Sequence, residues 1–308
     1  MGKQITKEDL ITDFKKLGVK RGDFLNVKCS LKSIGYIVGG ARTLIEALLA
    51  VIGPEGTIIT DSFVKVYRKK IARKEPISDD KTSSYAGALA NAMIKYPTSF
   101  RSKHPIQKFS AIGYMARKIT ESHTPESYAY DVLKYMCKNG GKNLKIGSDK
   151  KVVGVGTTHV AIGILGFKQL RPIRGVYYLN KDGQKEFFEC NWAGICSNGL
   201  IKFIPYYEKA GAITSKGRVG NAESKITDMK KTLEVELEIL KEDPTFFMCS
   251  KENCLGCQLT WEFSKWKKWK LLFKYLIRGN IRQFIRISRA MVSMKARYRE
   301  YAGMPVDK

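Results

Sequence analysis

The stretch from Phe24 to Thr60 sets the tightest limit on the fold. Phe24–Lys28 reads as a strand and Ser30–Gly35 as a loop. Gly39-Gly40 then opens a helix over Ala41–Ile52, with Leu44, Ile45, Leu48, Leu49 and Ile52 recurring on one face. Gly53-Pro54-Glu55-Gly56 is a turn, and Thr57–Thr60 a second strand. A short helix over Lys7–Lys16, with Leu10, Ile11, Phe14 and Leu17 at helical spacing, precedes them. The order α-β-α-β predicts a parallel or mixed sheet with covering helices.

The rest extends this α/β reading. A helix is predicted over Tyr85–Tyr96, a strand over Phe109–Gly113, and a short strand over Lys151–Gly156. Val176–Leu179 and Glu186–Glu189 flank an Asp182-Gly183 turn as a hairpin. A helix over Ala222–Leu240 and a closing strand over Thr245–Met248 complete the predicted central sheet with its flanking helices. A boundary near Trp261 divides residues 1–260, the α/β domain, from residues 261–308, a basic helical tail. At 308 residues the chain is long enough for a large buried core.

Charge is the unusual bulk property. Lys plus Arg number 55 and Asp plus Glu 29, a net charge of +26, which attracts polyanions of any kind. Apolar stretches are short, so no membrane-crossing helix is expected. Met1–Glu8 has no apolar core of a signal peptide, and a cytoplasmic, reducing setting is expected.

Three stretches resemble the aminoglycoside 3-N-acetyltransferase family. The first is Leu17-Gly18-Val19 with Gly22-Asp23, Val27-Lys28-Cys29-Ser30-Leu31-Lys32-Ser33-Ile34-Gly35 and Val38-Gly39-Gly40-Ala41. The second is the turn Gly53-Pro54-Glu55-Gly56-Thr57; the third is Phe100-Arg101-Ser102-Lys103-His104-Pro105 followed by Phe109–Gly113. The resemblance implies the family's fold and transfer of an acetyl group from acetyl-CoA to an amine, often on an amino sugar. It implies a cofactor site at Lys28, Cys29, Ser30, Leu31, Ile34, Gly35, Val38, Gly39 and Gly40, with Arg101, Ser102 and His104 nearby. A glycine-rich loop feeding a helix N-terminus also suits phosphate or a thioester oxygen on physical grounds. The alternative is an ordinary glycine turn, with Arg101 and His104 pinning an irregular loop.

The family's catalytic element is a strand ending in Gly-Val-Gly and then a helix bearing His-x-x-Glu. Gly154-Val155-Gly156 is followed here by His159, with Ile162 where the Glu belongs and Lys28 where the family's first loop has a His. His159 is the candidate general base, and Glu186 or Glu189 could replace the orienting carboxylate. Cys29 reads as a small filler rather than a nucleophile.

Seven cysteines are present. Cys190, Cys196, Cys249, Cys254 and Cys257 cluster in the second half, and the x2 spacing of the last two suits zinc or an iron–sulfur cluster. The tail carries twelve basic and no acidic residues between Lys265 and Arg299. Arg278, Arg282, Arg286 and Arg289 fall in an arc of about 80°. Ile277, Ile281, Phe284, Ile285, Met291 and Val292 lie opposite, with Trp266, Trp269, Leu272, Phe273, Tyr275 and Leu276 upstream. Three occupants remain open for residues 265–299: an anionic surface at the inner membrane, the parent domain or a second copy, and nucleic acid, for which no motif is present. The expected function is acyl-CoA-dependent N-acylation of an amino sugar or glycan precursor. The alternatives are a catalytically impaired relative that binds membranes or polyanions, and a cysteine-cluster metalloprotein.

Overall fold

The computed structural model describes residues 4–147, 156–170, 173–190, 192, 194–251, 254–282, 284–285, 288–289 and 298–299. Helix α1 (Lys7–Lys16) starts at a reciprocal cap: Thr6 Oγ accepts from Asp9 N–H, and the Asp9 carboxylate accepts from Thr6 N–H. Strand β1 (Phe24–Cys29) follows, then α2 (Gly40–Ile52), β2 (Thr57–Asp61), α3 (Ala88–Ile94), β3 (Phe100–Arg101) and β4 (Phe109–Gly113). Helix α4 (Asp131–Lys138), β5 (Lys142–Ile146) and α5 (Thr157–Ile164) come next. The hairpin β6 (Gly175–Leu179) and β7 (Lys185–Glu189) precedes β8 (Ile213–Val219), β9 (Ala222–Asp228), α6 (Met229–Glu242) and α7 (Lys265–Ile277).

Seven strands form one sheet in the order β3-β4-β2-β1-β5-β9-β8. β1 pairs in parallel with β2 and β5, and the outer pairings are antiparallel. Successive residues of one strand serve opposite faces. Leu25, Val27 and Ile58 join the core under α1, α2 and α3, whereas Ile59 joins the larger core under α4, α5 and α6. Each fully buried Leu or Ile here contributes about 1.5–3 kcal/mol.

Two predicted elements differ. Ala222–Asp228 is strand, not helix: Ala222, Ser224 and Ile226 are buried at period two. The helical spacing starts after Asp228, whose carboxylate accepts from Lys231 N–H, and runs through Met229, Thr232, Glu236 and Leu240. Thr245–Met248 is a turn, which seats the Phe247 ring 4.6 Å from that of Trp261. The strand expected over Lys151–Gly156 lies outside the described residues except for Gly156.

Trp261 is buried in the larger core, so packing continues through the point where composition changes. Beyond it Tyr275, Leu272 and Phe284 cover Leu259, while Trp269, Phe273, Leu276, Ile277 and Ile281 stay exposed. Arg286, Met291 and Val292 lie outside the described residues. No helix is long and apolar enough to cross a membrane among the described residues.

Candidate active site

Ligands in open α/β sheets bind beyond the carboxyl ends of parallel strands. Here β1 ends at Lys28-Cys29, β2 at Asp61 and β5 at Ile146, followed by Gly147. A cavity of about 690 Å³ opens over these ends, lined by Lys28, Cys29, Ser30, Lys32, Ser33, Asp61, Tyr85, Lys145 and Gly147 among others. Gly147, at φ 77°, lets the loop close on the strand end: a Cβ there would stand 2.8 Å from Ser33 Cβ. Ser30 N–H donates to Ile146 O, and the Ser30 and Ser33 hydroxyls share a hydrogen bond of 2.8 Å.

A second cavity, of about 470 Å³, shares Lys28, Asp61, Phe63 and Tyr85 with the first. Its other walls include Lys65, Tyr130, Gly156, His159, Arg174, Cys190, Trp192 and Ile195. Lys28 Nζ and Asp61 Oδ2 are 3.2 Å apart at the junction, and Gln107 Nε2 donates to Asp61 Oδ1 at 3.2 Å. His159 projects from the first turn of α5, its ring stacked on that of Tyr130 at 4.2 Å and 12°. Gly156, at φ 74°, lets the start of α5 pack closely on α4, since a Cβ there would stand 2.8 Å from Leu133 Cδ1.

Among the residues expected at a cofactor site, Lys28, Cys29 and Ser30 line the first cavity. Burial pushes the Cys29 thiol up to about 12, so it stays protonated. Ile34 is core, Gly35 packs against Asn221 and Ile5, and Leu31 is half-buried beside the core. Val38, Gly39 and Gly40 form the turn into α2, where the Thr43 hydroxyl donates to Val38 O. None of these six lines either cavity.

Arg101, Ser102 and His104 line neither cavity, and each makes hydrogen bonds within the fold. Arg101 donates to the carbonyls of Ser62, Asp80 and Thr82, and so holds the loop bearing Tyr85 against the end of β2. Burial lowers its guanidinium to about 10. Ser102 Oγ, fully buried, accepts from Phe109 N–H. His104 Nδ1 accepts from the N–H groups of Ile106 and Gln107, and its ring stacks on His123 at 4.9 Å. These contacts fit the pinning role that sequence reasoning allowed, and Ser102 and His104 are buried.

Ile162, one turn from His159, is fully buried among apolar side chains. Glu186 accepts from the Tyr178 hydroxyl on the exposed hairpin, and Glu189 lies outside both cavity walls. Asp61 is the acidic side chain lining the second cavity among the described residues. Sequence reading missed it, although a polar residue at the carboxyl end of a parallel strand is a recognisable signal. It also missed Glu236, which reaches under α5 from α6. Its Oε1 accepts from the hydroxyls of Thr158 and Tyr207 at 2.5 Å each. Burial pushes the Glu236 carboxyl up to about 7.

Of the five clustered cysteines, Cys196, Cys249, Cys254 and Cys257 meet, with all four Sγ atoms within 4.8 Å of one another. Cys190 instead lines the cavity of His159.

Known proteins share this architecture. AAC-IIIb, solved in a binary complex with CoASH, superposes with a TM-score of 0.68 at 22% identity, over 78% of this chain and 97% of that one. The AAC(3)-IVa apoenzyme gives 0.69 at 24%, over 83% and 96%. In sequence, aminoglycoside N(3)-acetyltransferase III of Salmonella sp is 31% identical over 132 residues, which is 38% of this chain and 46% of the relative. The SPbeta prophage-derived aminoglycoside N(3')-acetyltransferase-like protein YokD of Bacillus subtilis (strain 168) is 32% identical over 139 residues, 39% of this chain and 51% of that protein. The match thus spans about half the length of these curated relatives. The aminoglycoside 3-N-acetyltransferase family pattern, however, matches residues 27–241, from the Lys28 loop through the helix that carries Glu236. With most of its length under that pattern and its sheet superposing on the family's solved members, the chain belongs to the aminoglycoside 3-N-acetyltransferase family.

Proposed function

We propose that this chain transfers an acyl group, in the first instance acetyl, from a coenzyme A thioester to the amine of an amino sugar. The carrying observation is the junction of two cavities at Lys28 and Asp61, with His159 on one side and the Cys29–Ser33 loop on the other. Lys28, Lys32 and Lys145 give the first cavity the charge that CoA phosphates require. The CoASH held by AAC-IIIb agrees with this assignment.

A thioester reaching the junction would meet an amine seated beside His159. The amine lone pair attacks the thioester carbon, and the carbonyl π pair moves onto oxygen. As that pair returns, the C–S bond breaks and CoA leaves as a thiolate. His159 takes the proton from nitrogen and returns one to sulfur, giving an amide and a thiol. The Lys28 ammonium would stabilise the oxyanion in this reading.

The acceptor in this reading carries negative charge of its own, as a sugar phosphate or glycan precursor does. Lys28, Lys65 and Arg174 line the second cavity together with Asp61. That balance disfavours polycationic acceptors such as the sisomicin and gentamicin bound by two structural relatives. Release of CoA thiol is therefore expected to be faster with an amino-sugar phosphate than with gentamicin, and to vanish in His159→Ala. Absence of CoA binding by calorimetry overturns the proposal.

A second reading is favoured by Ile162 at the place of the family's Glu: a relative that binds CoA or a polyanion without turnover. Tight CoA binding with no thiol release from any amine would select it.

The tail supports a location as well. Trp269, Phe273 and Ile277 are exposed at four-residue spacing beside Lys270 and Arg278. We assign this face to an anionic lipid surface on charge complementarity. Sedimentation with phosphatidylserine vesicles, lost on removing residues 265–308 and absent with phosphatidylcholine, is the expected result. Vesicle-independent dimerisation through the tail overturns it.

A further inference from the structure

Cys196, Cys249, Cys254 and Cys257 come from two segments far apart in sequence, yet their Sγ atoms all lie within 4.8 Å of one another. Cys196 and Cys254 are 3.6 Å apart, well beyond a disulfide bond. Four sulfurs about 2.3 Å from one tetrahedral ion stand about 3.8 Å apart along each edge. The cluster is therefore close to the size of a mononuclear site. An iron–sulfur cluster divides its thiolates among two or more irons and needs a wider ring.

The surroundings suit thiolates. Cys254 precedes the short helix Leu255–Leu259, so Cys254 and Cys257 offer two sulfurs from one turn. Cys249 N–H donates to Cys257 Sγ at 3.3 Å, and the Asn198 side-chain amide donates to Cys196 Sγ at 3.7 Å. Such hydrogen bonds spread ligand charge and fix ligand orientation. Cys249 and Cys257 are buried, beside the core that holds Phe247 and Trp261. Gly199 has no side chain to separate its turn from the Phe247 carbonyl, which lets the Cys196 segment close on the Cys249 segment.

We infer that these four cysteines bind one zinc ion as a closed structural site. Each thiol gives its proton to solvent as the metal binds. Four protein ligands leave no position for a reactive water. The site also has a place in the cleft: Trp192, Gly194 and Ile195, which line the His159 cavity, lead directly into Cys196. The metal therefore anchors one wall of that cavity to the segment carrying Cys249, Cys254 and Cys257. This assignment is independent of acyl transfer, because it is read from metal content.

The test uses the full chain purified without chelator. Elemental analysis is expected to find one zinc per chain. A mercurial titration is expected to release that zinc as the thiols react. Cys196→Ala and Cys254→Ala, at half-buried positions, are expected to lower zinc affinity at least about tenfold, while Cys190→Ala keeps the metal. Cobalt exchanged into the wild-type chain is expected to show the visible bands of a tetrahedral thiolate site. Metal-free wild-type protein with all seven thiols titrating, a brown iron-containing protein, or disulfides among the four would each overturn the inference. The wild-type content decides the matter even if a variant misfolds.

Discussion

Lys28 Nζ lies 3.2 Å from Asp61 Oδ2, and this contact joins the ends of two adjacent parallel strands where the two cavities meet. Half-buried on one side and buried on the other, the pair sets the local charge at the junction. Lys28→Met is expected to lower kcat/KM by about 10- to 100-fold, the range for a lost charge-assisted hydrogen bond. Asp61→Asn is expected to act more weakly, through the orientation of Lys28. Steady-state kinetics on both variants and the double variant check this. Strict additivity of the two losses would show that the residues act separately.

His159 meets the same junction from α5, stacked on Tyr130. Removing a general base typically costs about 10²- to 10⁴-fold. His159→Gln is expected to reduce kcat within that range, to leave CoA affinity unchanged, and to flatten the acid limb of the pH–rate profile. A profile identical to wild type would assign the proton transfer elsewhere. Tyr130→Leu is expected to show a smaller loss, because it removes the ring on which the imidazole stacks and not the imidazole itself.

Much of this architecture was legible in the sequence because it is local. The crossover from Phe24 to Thr60 has helical and strand periods that glycine turns separate cleanly. The hairpin around Asp182-Gly183 was readable for the same reason. Ala222–Asp228 was not: its Glu and Lys residues carry helix propensity, and only pairing with β5 and β8 makes it a strand. At the site, the motif around Arg101 marked a region where the guanidinium holds backbone carbonyls. A guanidinium can clamp phosphate or backbone carbonyls equally well, and only burial distinguishes them. Trp192 and Glu236 join the cleft or its support through long-range packing that no spacing rule encodes.

Arg101 holds three carbonyls from Ser62 and the loop of Asp80 and Thr82, and Tyr85 follows shortly in that loop. Arg101→Ala leaves those acceptors unsatisfied and is expected to cost about 2–4 kcal/mol of stability. Arg101→Lys is expected to recover little, because one ammonium cannot span the fork. Because Tyr85 lines both cavities, the Lys variant is also expected to raise KM for the cofactor more than it lowers kcat. Denaturant titration and initial-rate kinetics check the two effects separately.

Three buried groups give stability opposite dependences on pH. Burial raises the Glu236 carboxyl from 4.5 to about 7. Between those values the native state holds a proton that the unfolded chain has lost, so stability falls as pH rises from 4.5 to 7. The full effect is about 3 kcal/mol. His104 and His123 act the other way. Burial, together with His123 and Lys108, holds His104 well below 6.5, and burial brings His123 down to about 4. A proton on His104 Nδ1 would oppose the two backbone N–H groups it now accepts from. The unfolded chain therefore gains protons first as pH falls below 6.5, and stability falls with it. In the wild type, Glu236 partly offsets this acid loss. Glu236→Gln keeps an acceptor for Thr158 and Tyr207 but removes the titration. Its stability is expected to drop more steeply than wild type between pH 6.5 and 4.5, with no decline between pH 4.5 and 7 left to assign to a carboxyl. Urea midpoints measured across that range for both proteins check the prediction, and parallel curves would show that Glu236 does not titrate there.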